Sequence, residues 1–480
     1  MQNHCVYGMD ILLPVLAVYG DIMKTKPPVQ KNQEIELTID GLTQEGMGVG
    51  RVTGYALFVK GALPGESIRA RVERAEKRYG YARTLEVLEP SPERTAPVCD
   101  DAASCGGCTL QHLSYPAQLK WKRQWVTDAF SRIGGMGVNV APTLGMENPR
   151  GYRNKAVYPV RRGPAGEVLI GFFAPRSHRV VDTGDCGIQH PVAGRAVDAV
   201  RRWMADGGIA PYDETHGTGT VRHLMVRVGF DTGEIQAALV TNGEQLPAAD
   251  ALIEVLRAAV PGLVSVIQNV NTRRDNVILG DRNVTLWGRE WIEDVLDGLT
   301  FRVGPLSFYQ VNPTQTVALY REAIARAGLT GNETVVDAYC GIGTISLFAA
   351  RKAGRVIGVE SVCGAVDDAR ENAKLNGIEN VKFICGKAEE WLPEVVGNGL
   401  RPDVVLLDPP RKGCDTKLLE AILAARPERV VYVSCDPATL ARDVRILMGS
   451  GAYRVEGDVQ PVDMFPQTGH VECVLLLTKG

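Results

Sequence analysis

The run VVYVSCDPATLARDV, from Val430 to Val444, places a cysteine where an apolar stretch ends, followed at once by Asp436 and Pro437. A thiol at the end of a buried strand is either a nucleophile, acting as the thiolate, or a small hydrophobe that fills the core. A second set of thiols, Cys99-x5-Cys105-x2-Cys108, lies in a glycine-rich loop, with Cys186 further along. Three closely spaced thiols and one distant one suit an iron–sulfur cluster or zinc, and spacing alone does not choose between them. Three carboxylates also close apolar runs: Asp337 in VVDAYCGIGTISL, Glu360 in RVIGVE and Asp408 in DVVLLDPPRKG.

From about Pro305 onward, apolar runs alternate with helical patterns, the mark of an α/β open, largely parallel sheet with helices on both faces. Ligands of such sheets bind outside the carboxyl ends of the strands. That edge is where Asp337, Glu360, Asp408 and Cys435 fall. The turn at Gly341 and Gly343 lets backbone approach a ligand but lacks the third glycine of a dinucleotide fingerprint. Glu360, about 20 residues further on, can accept both hydrogen bonds of a ribose diol. An acid at Asp337 disfavours a pyrophosphate and suits a cationic or neutral ligand, so S-adenosylmethionine fits better than NAD. Pro409 and Pro410 stiffen the loop after Asp408, which otherwise reads as a helix cap.

A chain of 480 residues has length for roughly three domains. Residues 1–26 read as an N-terminal extension, the first 22 of them preceding a natural-looking start at Met23. Residues 27–89 alternate like the strands of a small β-barrel, and Arg69 to Arg83 interleave Arg, Lys and Tyr in a way that suits phosphate contact with base stacking, or a solvated strand face. After a proline-rich linker, the central domain spans residues 90–304, mixed α+β with a helix expected over Tyr115 to Ile133. Residues 305–480 form the sheet domain. The 53 basic and 56 acidic residues nearly cancel, so any polyanion site is local; Arg150, Arg153, Lys155, Arg161, Arg162, Arg176 and Arg179 against only Glu167 and Asp182 mark the best candidate. No stretch is long and apolar enough to span a bilayer, and ILLPVLAVYG is short and broken by Pro14. The expectation is a cytoplasmic monomer without membrane contact, whose eleven cysteines serve metal or catalysis rather than a disulfide framework.

The strings DAYCGIG, DPPRKG, SFYQVN and SCDPATLARD, with GHVECVLLL near the C-terminus, resemble the RNA (uracil-5-)-methyltransferase family. The resemblance implies a class I, Rossmann-like S-adenosylmethionine methyltransferase sheet in which Gln310, Tyr339, Glu360 and Asp408 contact the cofactor. It implies Cys435 as the nucleophile that adds to uracil carbon-6, and Glu472 as the base that removes the carbon-5 proton; His470 is given a structural role. It further implies that the 27–89 barrel is a TRAM-type RNA-binding module and that GYRNKAVYPV, with Arg153 and Lys155, lies beside RNA. CGGCTLQHLSYPAQLKWKR resembles the segment that holds a [4Fe-4S] cluster in the family's rRNA branch, so Cys99, Cys105, Cys108 and Cys186 are its expected ligands, in a structural or RNA-positioning role. Large-subunit (23S) rRNA is then the expected substrate, because the tRNA branch generally lacks the barrel and the cluster. Lys387 departs from the acid that many methyltransferases carry there and is left unassigned. Cys340, Cys363, Cys385, Cys414 and Cys473 have no partner at useful spacing and are expected to be structural.

Other readings remain at this point. They are tRNA methylation at the same atom, an RNA-binding assembly factor with a vestigial site, and an amino-methyltransferase that would not need Cys435.

Overall fold

Alternation of buried and exposed side chains closes the first five strands into a barrel. The computed structural model describes residues 26–183, 185–449 and 451–480; residues 1–25 of the expected extension lie outside the described residues. Strands β1 (Glu34–Leu42), β2 (Met47–Val52), β3 (Tyr55–Lys60), β4 (Ser67–Ala75) and β5 (Tyr79–Glu89) pair in the closed order β1-β2-β3-β5-β4. Tyr55, Leu57 and Val59 of β3 point inward with Ile39, Ile68 and Val72. Phe58, Tyr79 and Tyr81 point outward, their ring centroids 5.7–5.8 Å apart, with Arg74 4.8 Å over Tyr81. A barrel that displays touching rings beside a guanidinium offers unpaired bases a stacking surface.

Helix α1 (Tyr115–Ala129), which continues as a π-turn over Phe130–Gly134, occupies the span where the sequence predicts a helix. The central sheet follows, built from β6 (Lys155–Arg162), β7 (Val168–Phe173), β8 (Val180–Asp182), β9 (Val221–Val228), β10 (Ile235–Thr241), β11 (Leu263–Val270) and β12 (Arg282–Gly288), in the order β12-β11-β10-β9-β6-β7-β8. Helices α2 (Val192–Asp206) and α3 (Ala249–Ala259) share a core with this sheet. The hairpin β13 (Ile292–Leu296) and β14 (Leu299–Val303) packs instead into the core of the C-terminal sheet. The sequence division at 304/305 therefore falls between this hairpin and the sheet it supports.

The C-terminal sheet comprises β15 (Thr334–Asp337), β16 (Arg355–Glu360), β17 (Val381–Cys385), β18 (Val404–Leu407), β19 (Arg429–Ser434), β20 (Tyr453–Val462) and β21 (Glu472–Lys479). Its order is β17-β16-β15-β18-β19-β21-β20, with every strand running the same way except β21, which is antiparallel to both of its neighbours, and it is flanked by α4 (Pro313–Ala327), α5 (Thr344–Ala350), α6 (Cys363–Leu375), α7 (Ala388–Gly397), α8 (Thr416–Ala425) and α9 (Pro437–Gly449). This is the class I methyltransferase sheet. Buried runs such as Val404–Leu407 are apolar throughout because helices cover both faces. The strand order reverses between β15 and β18, which opens a crevice at their carboxyl ends.

The loop of residues 463–470, just before β21, is where the three parts of the chain meet. Lys122 of α1 pairs with Asp463, both fully buried, and Tyr115 donates to the same carboxylate at 2.8 Å. The backbone N–H groups of Thr109 and Leu110 donate to the Gln467 carbonyl. From the barrel, the Gln44 carbonyl approaches so closely that a Cβ on Gly469 would lie 1.6 Å from it, so only glycine fits there.

Candidate active site

Strand β19 ends at Ser434, and Asp436 then caps α9: its Oδ1 accepts from the N–H groups of Ala438 (2.8 Å) and Thr439 (3.1 Å), with Pro437 in the first turn. The sequence CDP thus turns the chain from strand to helix and leaves the Cys435 thiol half-buried at the crevice, outside the core clusters. Strand β21 pairs antiparallel with β19, and Ser434 is partnered by Cys473. Continuing that register by one residue sets Cys435 beside Glu472. Glu472 is 2% exposed, which rules out a surface carboxylate.

The electrostatics tie these residues together. Burial, then the Glu472 and Asp408 carboxyls, push the Cys435 thiol up, while Arg411 works in the opposite direction. Burial and Asp408 likewise hold Glu472 well above the usual carboxylate range, again opposed by Arg411. Asp408 is pushed up to about 7 by burial and by Asp337, and Asp337 to about 6, chiefly by burial. Asp408 caps no helix, since Asp415 caps α8 by accepting from the Lys417 N–H at 2.9 Å.

The cofactor residues named from sequence line the same edge. Glu360 accepts from the backbone of Gly341 (3.2 Å) and Val362 (2.8 Å) and is joined to the glycine turn. Gln310 is buried at the end of the SFYQ segment, its carbonyl accepting from Asn154 Nδ2 at 2.9 Å. Tyr339 is half-buried, and its hydroxyl is pushed up by burial and by the Cys414 thiol. Asp337 Oδ2 accepts from Ser346 at 2.5 Å, while its buried Oδ1 has no hydrogen-bond partner.

One expectation is corrected here. Cys363 and Cys385 are not unpaired structural residues but form a disulfide, with Cα atoms 5.1 Å apart. Parallel pairing of β16 with β17 places Glu360 opposite Cys385, and α6 begins at Cys363 three residues after Glu360, so residues 22 apart in sequence meet. Cys340, Cys414 and Cys473 are free and buried, and Cys414 donates to the Tyr432 hydroxyl at 3.4 Å.

The four cysteines of the second set are all half-buried and lie near enough for their charges to act on one another. Burial raises Cys105, Cys108 (to about 11) and Cys186; Cys186 and Cys99 add to the effect on Cys105, Cys186 and Cys105 to that on Cys108, and Cys99 to that on Cys186. Arg153 opposes the rise at Cys108 and Cys186. Among the described residues no group of three or more His, Cys, Asp or Glu closes on a single metal-ion position. The donor set is all sulfur, which suits soft iron–sulfur or zinc chemistry.

Sequence reasoning passed over two basic residues. Arg411 follows DPP directly and is the cation whose charge acts on both Cys435 and Glu472, a position that the motif itself could have disclosed. Arg227 lies within VRHLMVRV, where every residue is buried, and a charge inside such a strand is its one signal.

Known proteins share this arrangement. The tRNA (uracil-5-)-methyltransferase family model matches residues 289–480, and the TRAM domain model matches residues 28–85. An uncharacterized RNA methyltransferase of Halalkalibacterium halodurans is 50% identical over 455 residues, covering 95% of this chain and 99% of its own length. The chain belongs to the RNA (uracil-5-)-methyltransferase family. Another relative in this family, an uncharacterized RNA methyltransferase of Caldanaerobacter subterraneus, is 49% identical over 452 residues, with 94% of this chain and 99% of that one covered. Among solved structures, the Pyrococcus abyssi tRNA (uracil-54, C5)-methyltransferase in complex with S-adenosyl-L-homocysteine matches with a TM-score of 0.74 and 28% identity, over 92% of this chain and 100% of that one.

Members of the family use S-adenosylmethionine, and the crevice fits it. The ligand carries a sulfonium and an ammonium, and the acids Asp337, Asp408 and Glu360 with the unpartnered Asp337 Oδ1 supply the complement. This gives a pH prediction. Asp337 and Asp408 bind protons more tightly folded than unfolded, so their contribution to stability is full below the ordinary 3.8 and is lost as pH rises through about 6 and about 7. A bound cation offsets that loss. The rise in melting temperature on adding S-adenosylmethionine should therefore be larger at pH ~8 than at pH ~5 by scanning calorimetry. A shift independent of pH would show that these acids do not face the cation.

Proposed function

We propose that this protein methylates carbon-5 of uridine in 23S rRNA through a covalent adduct with Cys435. The observation that carries the reading is the cross-strand placement of Cys435 beside Glu472 at the edge that also carries Asp408, Glu360 and Gln310. S-adenosylmethionine supplies an electrophilic methyl group. Cys435, its proton passed to solvent water, adds to uracil carbon-6 and drives charge onto the carbonyl oxygen, making an enolate whose carbon-5 takes the methyl while the sulfonium sulfur leaves as a neutral thioether. Arg411 favours the thiolate and the ionised Glu472. Glu472, with its raised proton affinity, then takes the carbon-5 proton; the carbon-5 to carbon-6 double bond re-forms and the thiolate leaves. Gln310, Tyr339, Glu360 and Asp408 hold the cofactor in this reading. An amino-methyltransferase would leave Cys435 without a task.

Choice of RNA rests on the parts outside the sheet. The four-thiol set supports the rRNA branch. A specific finding favours tRNA as the second reading: the P. abyssi tRNA enzyme aligns over 92% of this chain, so sharing the barrel does not by itself choose. Mass mapping of 5-methyluridine in rRNA and in tRNA, from cells with and without the protein, decides. Loss from 23S rRNA alone supports the proposal, and loss from tRNA alone replaces it.

Cys99, Cys105, Cys108 and Cys186 would hold a [4Fe-4S] cluster, fixing the loops that carry them beside Arg153. Anaerobically purified protein should contain iron and sulfide and show broad visible absorption, both lost in Cys105→Ser and Cys108→Ser. Stoichiometric zinc without iron in that preparation would make the site a zinc site.

A further inference from the structure

Eight cysteines among the described residues are free, and a single pair, Cys363 with Cys385, is joined. A disulfide framework multiplies its bridges, whereas one cystine amid free thiols is the pattern of a redox-responsive pair. Its surroundings fit exchange chemistry. Both cysteines are exposed, and each is followed by a glycine, Gly364 and Gly386, at which a Cβ would meet nothing within 4 Å. A thiol from solution therefore has room to reach the bond, the access that thiol–disulfide exchange requires. Cys363 is also the first residue of α6, and the start of a helix favours negative charge, so Cys363 is the better leaving sulfur when the bond opens.

The same cystine borders the cofactor crevice. Cys385 is the register partner of Glu360, and the Gly386 N–H donates to the Glu360 carbonyl at 2.9 Å. On the other side, only Ser361 and Val362 separate Glu360 from Cys363. Glu360 Oε1 accepts from the Ser361 hydroxyl (3.0 Å) and the Val362 N–H (2.8 Å), while Oε2 accepts from the Gly341 N–H (3.2 Å) of the glycine turn. The turn that orients this carboxylate is thus the one that the cystine ties to the end of β17. Val362, 56% exposed, adds an apolar side chain to the same rim.

We propose that Cys363 and Cys385 form a reversible thiol–disulfide site at the rim of the cofactor crevice, exchanging with a small thiol and its disulfide, and that the closed bond raises affinity for S-adenosylmethionine. The proposal rests on Glu360 holding the cofactor ribose. To open the bond, the thiolate of the small thiol attacks the Cys385 sulfur, and the Cys363 sulfur leaves with the bonding electron pair. A second small thiolate attacks the small-molecule sulfur of the mixed disulfide and releases Cys385 as a thiolate. The protein gains two electrons and, as its thiolates protonate, two protons; two small thiols become one disulfide. Closing runs the same steps in reverse. With the bond closed, the turn carrying Glu360 is held before the ligand arrives, so less freedom is lost on binding.

The test equilibrates the full-length protein anaerobically with glutathione and glutathione disulfide over a series of ratios. Free thiols are alkylated, the Cys363–Cys385 peptide is quantified by mass spectrometry, and S-adenosylhomocysteine affinity is measured by calorimetric titration. The closed form should bind about tenfold more tightly than the open one. Linkage is reciprocal, so saturating S-adenosylhomocysteine should make the cystine harder to reduce by the same factor, about 30 mV for a two-electron couple. The Cys363→Ser, Cys385→Ser double variant should bind as the open form does at every ratio, which separates this pair from the remaining thiols. Equal affinity of the two forms, absence of the cystine peptide at every ratio, or a response that persists in the double variant would overturn the proposal. Glu360→Ala tests the underlying reading separately: unchanged affinity in that variant would remove Glu360 from the ribose, while a redox response of the parent protein would still keep the exchange site at the cofactor rim.

Discussion

Cys435→Ala is expected to lose methyl transfer to below background while binding S-adenosylmethionine as the parent protein does. The thiol acts on RNA in the proposed chemistry, and Glu360, Tyr339 and Gln310, proposed to hold the cofactor, belong to other elements of the chain. No nearby group takes over the role. Cys473, the adjacent thiol of β21, is fully buried, and burial and Glu472 hold it far above the ordinary thiol range. Calorimetric titration with S-adenosylmethionine and transfer of labelled methyl to RNA read the two halves separately. Normal methylation by the variant would refute the covalent route.

Glu472→Gln separates the chemistry differently. An amide cannot take the carbon-5 proton, but thiolate addition and methyl transfer can proceed, so methylated RNA should remain bonded to Cys435. The adduct would appear as a denaturant-resistant band carrying label from the methyl group. Losing a general base costs about 10²–10⁴-fold in rate, so the band should outlast an ordinary assay. The double variant with Cys435→Ala should give none. Turnover at the parent rate without a band would assign the base elsewhere, and His470 is then the next candidate: burial, with the Arg411, Lys122 and Arg153 charges, lowers its pKa to about 4, which leaves its ring neutral but a weaker base than an ordinary imidazole.

The edge proposed for catalysis was legible in sequence because its logic is local. Each of Asp337, Glu360, Asp408 and Cys435 closes an apolar run, and parallel strands with covered faces bring such endings to one line. Glu472 needed the extra knowledge that the last strand runs the other way, which the resemblance provided and the pairing of β21 with β19 bears out. Residues joined only by register were not legible. Cys363 and Cys385 meet because β16 and β17 are neighbours, and Lys155 meets Arg227 because β6 pairs with β9, although the two residues stand 72 positions apart in sequence. Arg153 and Lys155 stood out through local charge density, whereas Arg227 lay in an apolar strand whose partner no spacing could name. The barrel was visible as alternation and glycine turns, but not that Phe58 of β3 would complete the ring cluster of β5.

The buried pair of Lys122 with Asp463 limits how this protein could be rebuilt. A family model matches residues 289–480 alone, which invites treating that stretch as a cassette to be cut out or joined to another RNA-binding part. Cutting there removes Lys122, Tyr115 and Gln118 and leaves Asp463 a solitary charge in the interior, with the Gln467 amide without its partner. Orphaning one member of such a pair costs about 3–5 kcal/mol, much of the margin by which an ordinary domain stays folded. The strain would fall on the nine-residue approach to Glu472 rather than on the cofactor crevice. An excised sheet should thus keep its affinity for S-adenosylmethionine and lose its chemistry, and recombination within this architecture has to carry α1 along with the strands it serves.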